Sequence, residues 1–415
     1  MRKADGKLVK CNIRSVLMIA TVAATVCIAI PATAQYKVLH SFGLGTDGGG
    51  LWNSVTLDKK GRVYGATSGG GDYNGGTVFR LTPQPDGEWG EKILHSFFES
   101  NDDADGPNGG LVQDREGHWY GTSQGGGGLH AGTVFQLAQT PSGWEENVLY
   151  SFGTQNDDGG EPVTGLVMDS AGHLYGTAAY GGSTAFEFSP GPSGWSETIL
   201  HHFGVKSGDG LAPYAGLILD ASGNLYGATT DGGKGCLAEG CGTVYKLKPQ
   251  PDGSWKETVL HRFNNNGKDG VNPGWGSLFR DASGGLYGTT RAGGPAVAGI
   301  IYRLAHQPGG HWKESILYNF KKDASGYSPN TGVVMDSAGN LYGTTDYGGA
   351  GDCGVIYKLA PGKKGQWTYT VLHTFTGSDG CLPEGNLVPD KNGNDYGVTA
   401  LGGDYGAGVV FEITP

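Results

Sequence analysis

A Tyr-Gly pair recurs seven times along the chain, each time inside the same pattern of surrounding residues. The spacing between successive copies is 51 to 61 residues, and the tyrosines are Tyr64, Tyr120, Tyr175, Tyr226, Tyr287, Tyr342 and Tyr396. A period of this size is typical of a propeller, a solenoid or another repeat array rather than of a conventional enzyme domain.

Each repeat contains four short runs of strand length. In the third copy they cover residues 165–169, 174–177, 185–188 and 197–203. A tight Asp-x-x-Gly turn joins the first two runs, because Asp can cap such a turn and Gly supplies the positive φ. A Gly-Gly loop, a hairpin and a long Asp/Gly-rich loop make the other connections. Four antiparallel strands per unit predict a propeller blade.

The two ends of the repeat array predict how the ring closes. Residues 36–42 closely match the fourth run of the first copy, residues 92–97, whereas the seventh copy stops after its third run. We expect the N-terminal strand to complete the last blade, which leaves no open sheet edge. The sequence therefore predicts an all-β fold, a seven-bladed β-propeller with four antiparallel strands per blade, in a single domain of residues 35–415.

Residues 1–34 have the pattern of a signal peptide. Five basic residues precede an apolar run at 16–30, and Ala32-Thr33-Ala34 follows as the small-x-small site before Gln35. The apolar run is shorter than the roughly 20 residues of a spanning helix. Cys27 lacks the small residue expected before a lipidated cysteine. We expect an exported protein, extracellular or periplasmic, without a membrane span after cleavage.

The repeated phrase identifies a resemblance. Residues 332–345, followed by Gly348-Gly349, resemble the GloVer tandem repeat of exported bacterial proteins, and the similarity covers nearly all of residues 35–415. The resemblance implies β-propeller-like repeats and export. It carries over no established activity and no catalytic residues.

The chain is acidic, with a formal net charge of −11 at pH 7. An acidic surface repels nucleic acid and anionic lipid, so neither is expected as a partner. Asp-Gly pairs precede the first strand of six copies and indicate turns, with calcium binding as the alternative. An EF-hand spacing is absent, so the sequence predicts no metal and no cofactor.

Residue types that recur in every blade are spread around the ring, so the prediction for them is structural. The histidines at one position of the fourth strand lie too far from one another to share a zinc ion. The tryptophans of the same strand are predicted to cover blade edges or to pack between blades. Small residues at the start of the first strand fit crowding at the axis. These three sets are His40, His95, His201, His261 and His373, with Tyr150 and Tyr318 replacing them in two copies; Trp89, Trp144, Trp195, Trp255, Trp312 and Trp367; and Gly110, Gly165, Gly216 and Gly332, with Ser54, Ser277 and Asn386 as variants.

Four cysteines follow the signal segment. Cys236 and Cys241 lie in one Gly-rich loop, and export favours a disulfide there over a metal site. Cys353 and Cys381 lie in two loops that emerge on the same face of an up-and-down blade. A second disulfide is predicted between them, although four cysteines allow three pairings.

The long loops share one face, where a ligand site is expected. Aromatic residues outside the repeat pattern occur in these loops, on a polar background that suits the apolar faces of sugars or a protein partner. The alternative is that each ring packs on its own loop. The ligand-binding candidates are Trp52, Tyr73, Tyr214, Trp275, Tyr327, Tyr347 and Tyr405, with His130 and Tyr180 in the same loops.

Catalytic motifs for a zinc protease or a P-loop enzyme are absent. Loop carboxylates that a glycosidase or lyase could use are Asp72, Glu161, Asp231, Glu239, Asp346 and Asp404. The sequence favours a monomeric binding module for carbohydrate or another cell-surface polymer. A polysaccharide-active hydrolase or lyase and a purely structural surface protein are the alternatives, and no catalytic residue is assigned.

Overall fold

Short β-type runs separated by Gly-rich turns pair into seven antiparallel sheets, one for each repeat. Every sheet has the four strands of a blade, and the second and fifth sheets have one additional short strand. The computed structural model describes residues 34–153, 158–192, 194–234, 236 and 240–415. Each sheet is a propeller blade, so the predicted seven-bladed fold is confirmed. The predicted signal peptide lies outside the described residues except for Ala34.

The blades are numbered 1 to 7 along the chain, and the strands of each blade are called first to fourth. The first strands are Thr56–Leu57, Val112–Gln113, Val167–Met168, Ile218–Leu219, Phe279–Arg280, Val334–Met335 and Cys381–Pro389. The second strands are Val63–Thr67, Trp119–Gly126, Leu174–Ala178, Leu225–Thr229, Leu286–Gly293, Leu341–Thr345 and Asp395–Leu401.

The third strands are Thr77–Pro83, Thr133–Thr140, Thr184–Gly191, Thr243–Pro249, Ile300–His306, Val355–Pro361 and Val409–Thr414. The fourth strands are Trp89–Ser96, Gly143–Ser151, Gly194–His202, Trp255–Arg262, Trp312–Asn319, Trp367–Thr374 and, for blade 7, Gln35–Ser41. The connecting loops also contain the short strands Ala104–Pro107, Gly210–Leu211, Asp231–Gly232 and Gly270–Pro273 and a 3-10 helix at Lys363–Gly365.

The repeated Tyr-Gly pair lies on the second strand and has two packing roles. In blade 5 the Tyr287 hydroxyl donates a hydrogen bond to Asp281 of the tight turn, with an oxygen–oxygen distance of 3.1 Å. A Cβ atom added to the neighbouring Gly288 would lie 2.5 Å from the hydroxyl oxygen of Tyr302 on the third strand. The pair therefore fastens the turn and leaves room for an aromatic ring.

The N-terminal strand closes the ring, as the sequence predicts. Gln35–Ser41 pairs antiparallel with Val409–Thr414, the third strand of blade 7. Tyr36 of this strand stacks on His373 of blade 6, with ring centroids 3.8 Å apart. The closing strand thus joins its own blade and the preceding one.

The first strands are shorter than predicted, because their starts crowd the axis. Six of them have only two residues. The backbone N–H of Asn386 donates to the Ser54 hydroxyl at 2.7 Å, and its side-chain amide donates to the Ser277 carbonyl at 3.2 Å. These hydrogen bonds join blades 7, 1 and 5 across the axis. Backbone groups there bond between blades rather than along a sheet.

The recurring tryptophans pack between blades. The Trp195 ring lies 5.7 Å from the ring of Tyr120 in the preceding blade, and Trp255 lies 6.0 Å from Tyr175 in the same way. Each fourth strand therefore covers the second-strand tyrosine of its neighbour. Apolar burial between blades is the main force that holds such a ring together.

Both disulfides are present. Cys353–Cys381 joins a loop of blade 6 to the first strand of blade 7, and Cys236–Cys241 closes a loop of blade 4. Among the residues described, no helix has the length and apolar character needed to cross a membrane.

Candidate functional site

One repeat position on the long-loop face changes from blade to blade. It lies two residues before the axial position that Ser54, Gly110 and their counterparts occupy in each repeat. We call the residues at this position the rim residues. They are Trp52, Asn108, Val163, Tyr214, Trp275, Asn330 and Glu384. All of them except Asn108 line one pocket above the axis, with a volume of about 190 Å³. The ring symmetry thus brings six side chains, one from each of six blades, to one site.

Three rim residues give the pocket an aromatic part. Tyr214 and Trp275, on consecutive blades, stack with ring centroids 4.6 Å apart and planes 7° apart. The Trp52 indole N–H donates to the Ser68 hydroxyl at 3.0 Å, which fixes its orientation. Trp52 and Trp275 remain 43% and 44% exposed, so each leaves part of its ring surface available to a ligand.

Two rim residues give the pocket a polar part. Asn330 and Glu384 belong to blades 6 and 7, between Trp275 of blade 5 and Trp52 of blade 1. The side-chain amide of Asn330 donates to Glu384 Oε2 at 3.3 Å. Asn330 Oδ1 is buried and has no hydrogen-bond partner within the described part of the chain. The pocket therefore offers a hydrogen-bonding pair flanked by two indole rings.

The carboxyl group of Glu384, a member of this pair, and that of Asp346 both resist ionisation. Burial, and next the charge of Asp346, raise the pKa of Glu384 well above its usual range. Burial also raises the pKa of Asp346 to about 7, against the opposing charge of Arg291. The Arg291 Nε atom lies 3.8 Å from Asp346 Oδ2. At neutral pH the site can therefore hold a protonated carboxylic acid.

The structure brings together only some of the residues predicted from the sequence. Trp52, Tyr214 and Trp275 line the rim pocket, whereas Tyr73 and Tyr405 lie outside its lining. Tyr327 and Tyr347 also lie outside it and stack on each other with centroids 5.4 Å apart. These two rings come from two different loops of blade 6.

The predicted carboxylates are dispersed. Asp346 acts electrostatically on the rim residue Glu384, and Asp231 and Glu161 act on the rim residue Tyr214. Asp72 lines a separate surface pocket with Tyr405. Glu161 accepts a hydrogen bond from Gln124 at 3.3 Å. Glu239 lies outside the described residues. Glu384 and Asn330 were not among the predicted site residues, and Asn386 was predicted only as a variant at the axis. Their signal in the sequence is a repeat position that varies from blade to blade.

Groups that could hold a metal ion lie away from the rim. Four sets of one His, one Asp and one Glu have ligand atoms within 4.8 Å of one another at blade interfaces. A fifth set, Asp114, Glu116 and His118, lies in a tight turn where Glu116 is exposed. None of these five sets, which cover the described residues, contains a rim residue.

Comparisons with known proteins agree with the repeat architecture. The model of the Gloeobacter/Verrucomicrobia repeat matches residues 21–238 and 236–415. No curated protein matches the chain.

Several solved structures show a weak structural likeness. A protein from Bacteroides uniformis, provisionally named a 6-phosphogluconolactonase, is 14% identical with a TM-score of 0.49, and the match covers 88% of each chain. A protein of unknown function from Dyadobacter fermentans is 11% identical with a TM-score of 0.46, covering 91% of this chain and 99% of the other. Likenesses of this size carry no argument about activity.

Proposed function

The chain belongs to the Gloeobacter/Verrucomicrobia repeat family, and we propose that it is an exported binding module whose rim pocket holds carbohydrate or another cell-surface polymer. The family is defined by its repeat, and the match assigns no reaction to the chain. The proposal rests on the chemistry of the rim residues.

The observation that carries the proposal is the composition of one pocket. Trp52 and Trp275 flank the hydrogen-bonded pair of Asn330 and Glu384 above the axis. Aromatic faces pack on the apolar faces of sugar rings, and amide and carboxyl groups bond to sugar hydroxyls. An apolar ligand would leave the buried Asn330 Oδ1 atom without a hydrogen bond, which costs about 1–3 kcal/mol.

Export is part of the proposal. Residues 1–34 have the pattern of a signal peptide, and disulfides persist in oxidising compartments. An exported protein meets polysaccharides and other surface polymers. Detection of a mature N-terminus at Gln35 in the exported fraction tests this part of the proposal.

A glycan array with the purified protein tests the ligand class. The Trp275→Ala variant is expected to lose about two- to tenfold in affinity for any glycan that the wild type binds, because stacking on an aromatic ring is worth about 0.5–1.5 kcal/mol. The matched control is Tyr73→Ala, which removes an equally exposed loop aromatic outside the pocket. Equal loss in both variants, or none in either, would contradict a rim-pocket site.

A polysaccharide-active hydrolase or lyase is the second candidate. The raised pKa of Glu384, beside that of Asp346, favours it, because a general acid must hold its proton near neutral pH. An assay for polysaccharide cleavage separates the two candidates. Turnover that Glu384→Gln abolishes while binding remains supports an enzyme, and binding without turnover supports a module. A protein that neither binds nor cleaves is a structural surface protein.

A further inference from the structure

The recurring histidines never meet one another, but each of four meets two carboxylates at a blade interface. The imidazole comes from the fourth strand of one blade, the Asp from the loop that follows, and the Glu from the fourth strand of the next blade. We call these groups the interface trios: His40–Asp47–Glu91, His95–Asp103–Glu146, His201–Asp209–Glu257 and His261–Asp269–Glu314. We propose that the interface trios bind first-row divalent cations such as Zn²⁺, which fasten neighbouring blades together.

The spacing of the ligand atoms fits such an ion. Zinc ligands at 2.0–2.2 Å in a tetrahedral site lie roughly 3.4 Å from one another. His261 Nε2 lies 3.6 Å from Asp269 Oδ2 and 3.8 Å from Glu314 Oε1. Both His261 Nε2 and Glu314 Oε1 are buried without a hydrogen-bond partner among the described residues. One imidazole and two carboxylates form a mixed N/O ligand set that suits zinc and its first-row neighbours.

The charge at these interfaces also calls for a cation. The Glu146 side chain is 6% exposed, and its Oε1 atom has no hydrogen-bond partner in the described chain. Each trio places two carboxyl groups beside one imidazole. A divalent cation would offset the negative charge of two carboxylates held this close together.

Two of the three interfaces without a trio have stacked aromatic rings or a disulfide in its place. Between blades 6 and 7, Tyr36 stands where the Glu would be and stacks on His373, and Cys353–Cys381 crosses the same interface. Between blades 5 and 6, Tyr318 and Tyr369 stack with centroids 4.3 Å apart. This distribution is expected if the trios serve to join blades.

An entry path exists for at least one ion. His40, Asp47 and Glu91 line a surface pocket together with Asp72 and Tyr405. Because His40 belongs to the closing N-terminal strand, an ion there would join blade 7 to blade 1. Metal binding would then stabilise the closure of the ring, because an ion that binds only the folded state raises its stability.

The test is zinc stoichiometry in the whole protein, purified without a polyhistidine tag, stripped with chelator and dialysed against Zn²⁺. We expect four bound zinc ions per chain and a higher Tm than in the stripped protein. Glu146→Gln removes one ligand with little change in volume and should lower the count by one. The control is Glu145→Gln, because this neighbouring side chain is exposed and contacts Ser142 and Thr140 instead.

Two outcomes overturn the proposal. One is fewer than one zinc ion bound per chain, and the other is an unchanged count in Glu146→Gln. If Glu146→Gln fails to fold, the visible absorption of the Co²⁺-loaded wild type still decides whether His and carboxylate ligands bind a metal.

Discussion

At the scale of single residues, position in the repeat decides whether a side chain is scaffold or site. The glycine of the Tyr-Gly pair lies under an aromatic ring of the third strand in every blade, at distances that leave no room for a Cβ atom. The rim position has no such neighbour, so the chain places Trp, Asn, Val, Tyr and Glu there. Variation within a fixed repeat therefore indicates where a ligand can be recognised.

Replacing Gly288 by Ala tests this packing argument. The new Cβ would lie 2.5 Å from the Tyr302 hydroxyl oxygen, so the ring or the strand must shift. We expect a loss of about 1–3 kcal/mol in the free energy of unfolding, measured with chemical denaturant. Gly128→Ala is the control, since that glycine is exposed and has no atom within 4 Å of the added Cβ. Equal stability of the two variants would contradict the argument.

At the scale of elements, the tight turn between the first and second strands is held by one carboxylate. In blade 4, Asp220 Oδ1 accepts the backbone N–H groups of Ser222 and Asn224, at 2.9 and 3.0 Å, and Oδ2 accepts the Tyr226 hydroxyl at 3.0 Å. Burial acts to raise the pKa of Asp220, but hydrogen bonds, those from Asn224 first, outweigh it and lower the pKa. The ionised carboxylate is therefore the form that stabilises the turn.

Acid should remove the contribution of this turn. Because the folded pKa lies below the unfolded value of about 3.9, the stabilisation is present above that pH and is lost as pH falls through the folded pKa. We expect Asp220→Ala to cost about 1–2 kcal/mol at pH 7 and progressively less below pH 4. Denaturant unfolding at both pH values measures the difference, with the exposed Asp404→Ala as control. If Asp220→Ala lowered the free energy of unfolding equally at both pH values, the charge of the Asp220 carboxylate would not contribute to the turn.

At the scale of the whole molecule, the fold was predictable and the site only in part. Seven similar phrases with turn residues at fixed offsets define the blades, and the lone N-terminal strand defines the closure, because both depend on local pattern. The convergence of Trp52, Tyr214 and Trp275 depends on ring geometry, which brings distant residues together at the axis. The grouping of His, Asp and Glu in the interface trios depends on which side chains face each other across neighbouring blades. The spacing of the histidines along the sequence does not show this grouping, because the carboxylates come from other elements.

The ring is closed by hydrogen bonds between the first and last strands of the chain, so loss of the N-terminal strand should affect the whole propeller. Deleting residues 35–42 removes Gln35–Ser41 and the buried Leu39 and Phe42, each worth roughly 1.5–3 kcal/mol of apolar burial. The edge of Val409–Thr414 then has unpaired backbone groups, which favour pairing with another chain. We expect a lower Tm and the appearance of dimers or larger species in light scattering. A synthetic peptide of residues 35–42 should restore both the Tm and the monomer, whereas a scrambled peptide should not. A deleted chain that stays monomeric with an unchanged Tm would mean that six complete blades hold the seventh without its outer strand.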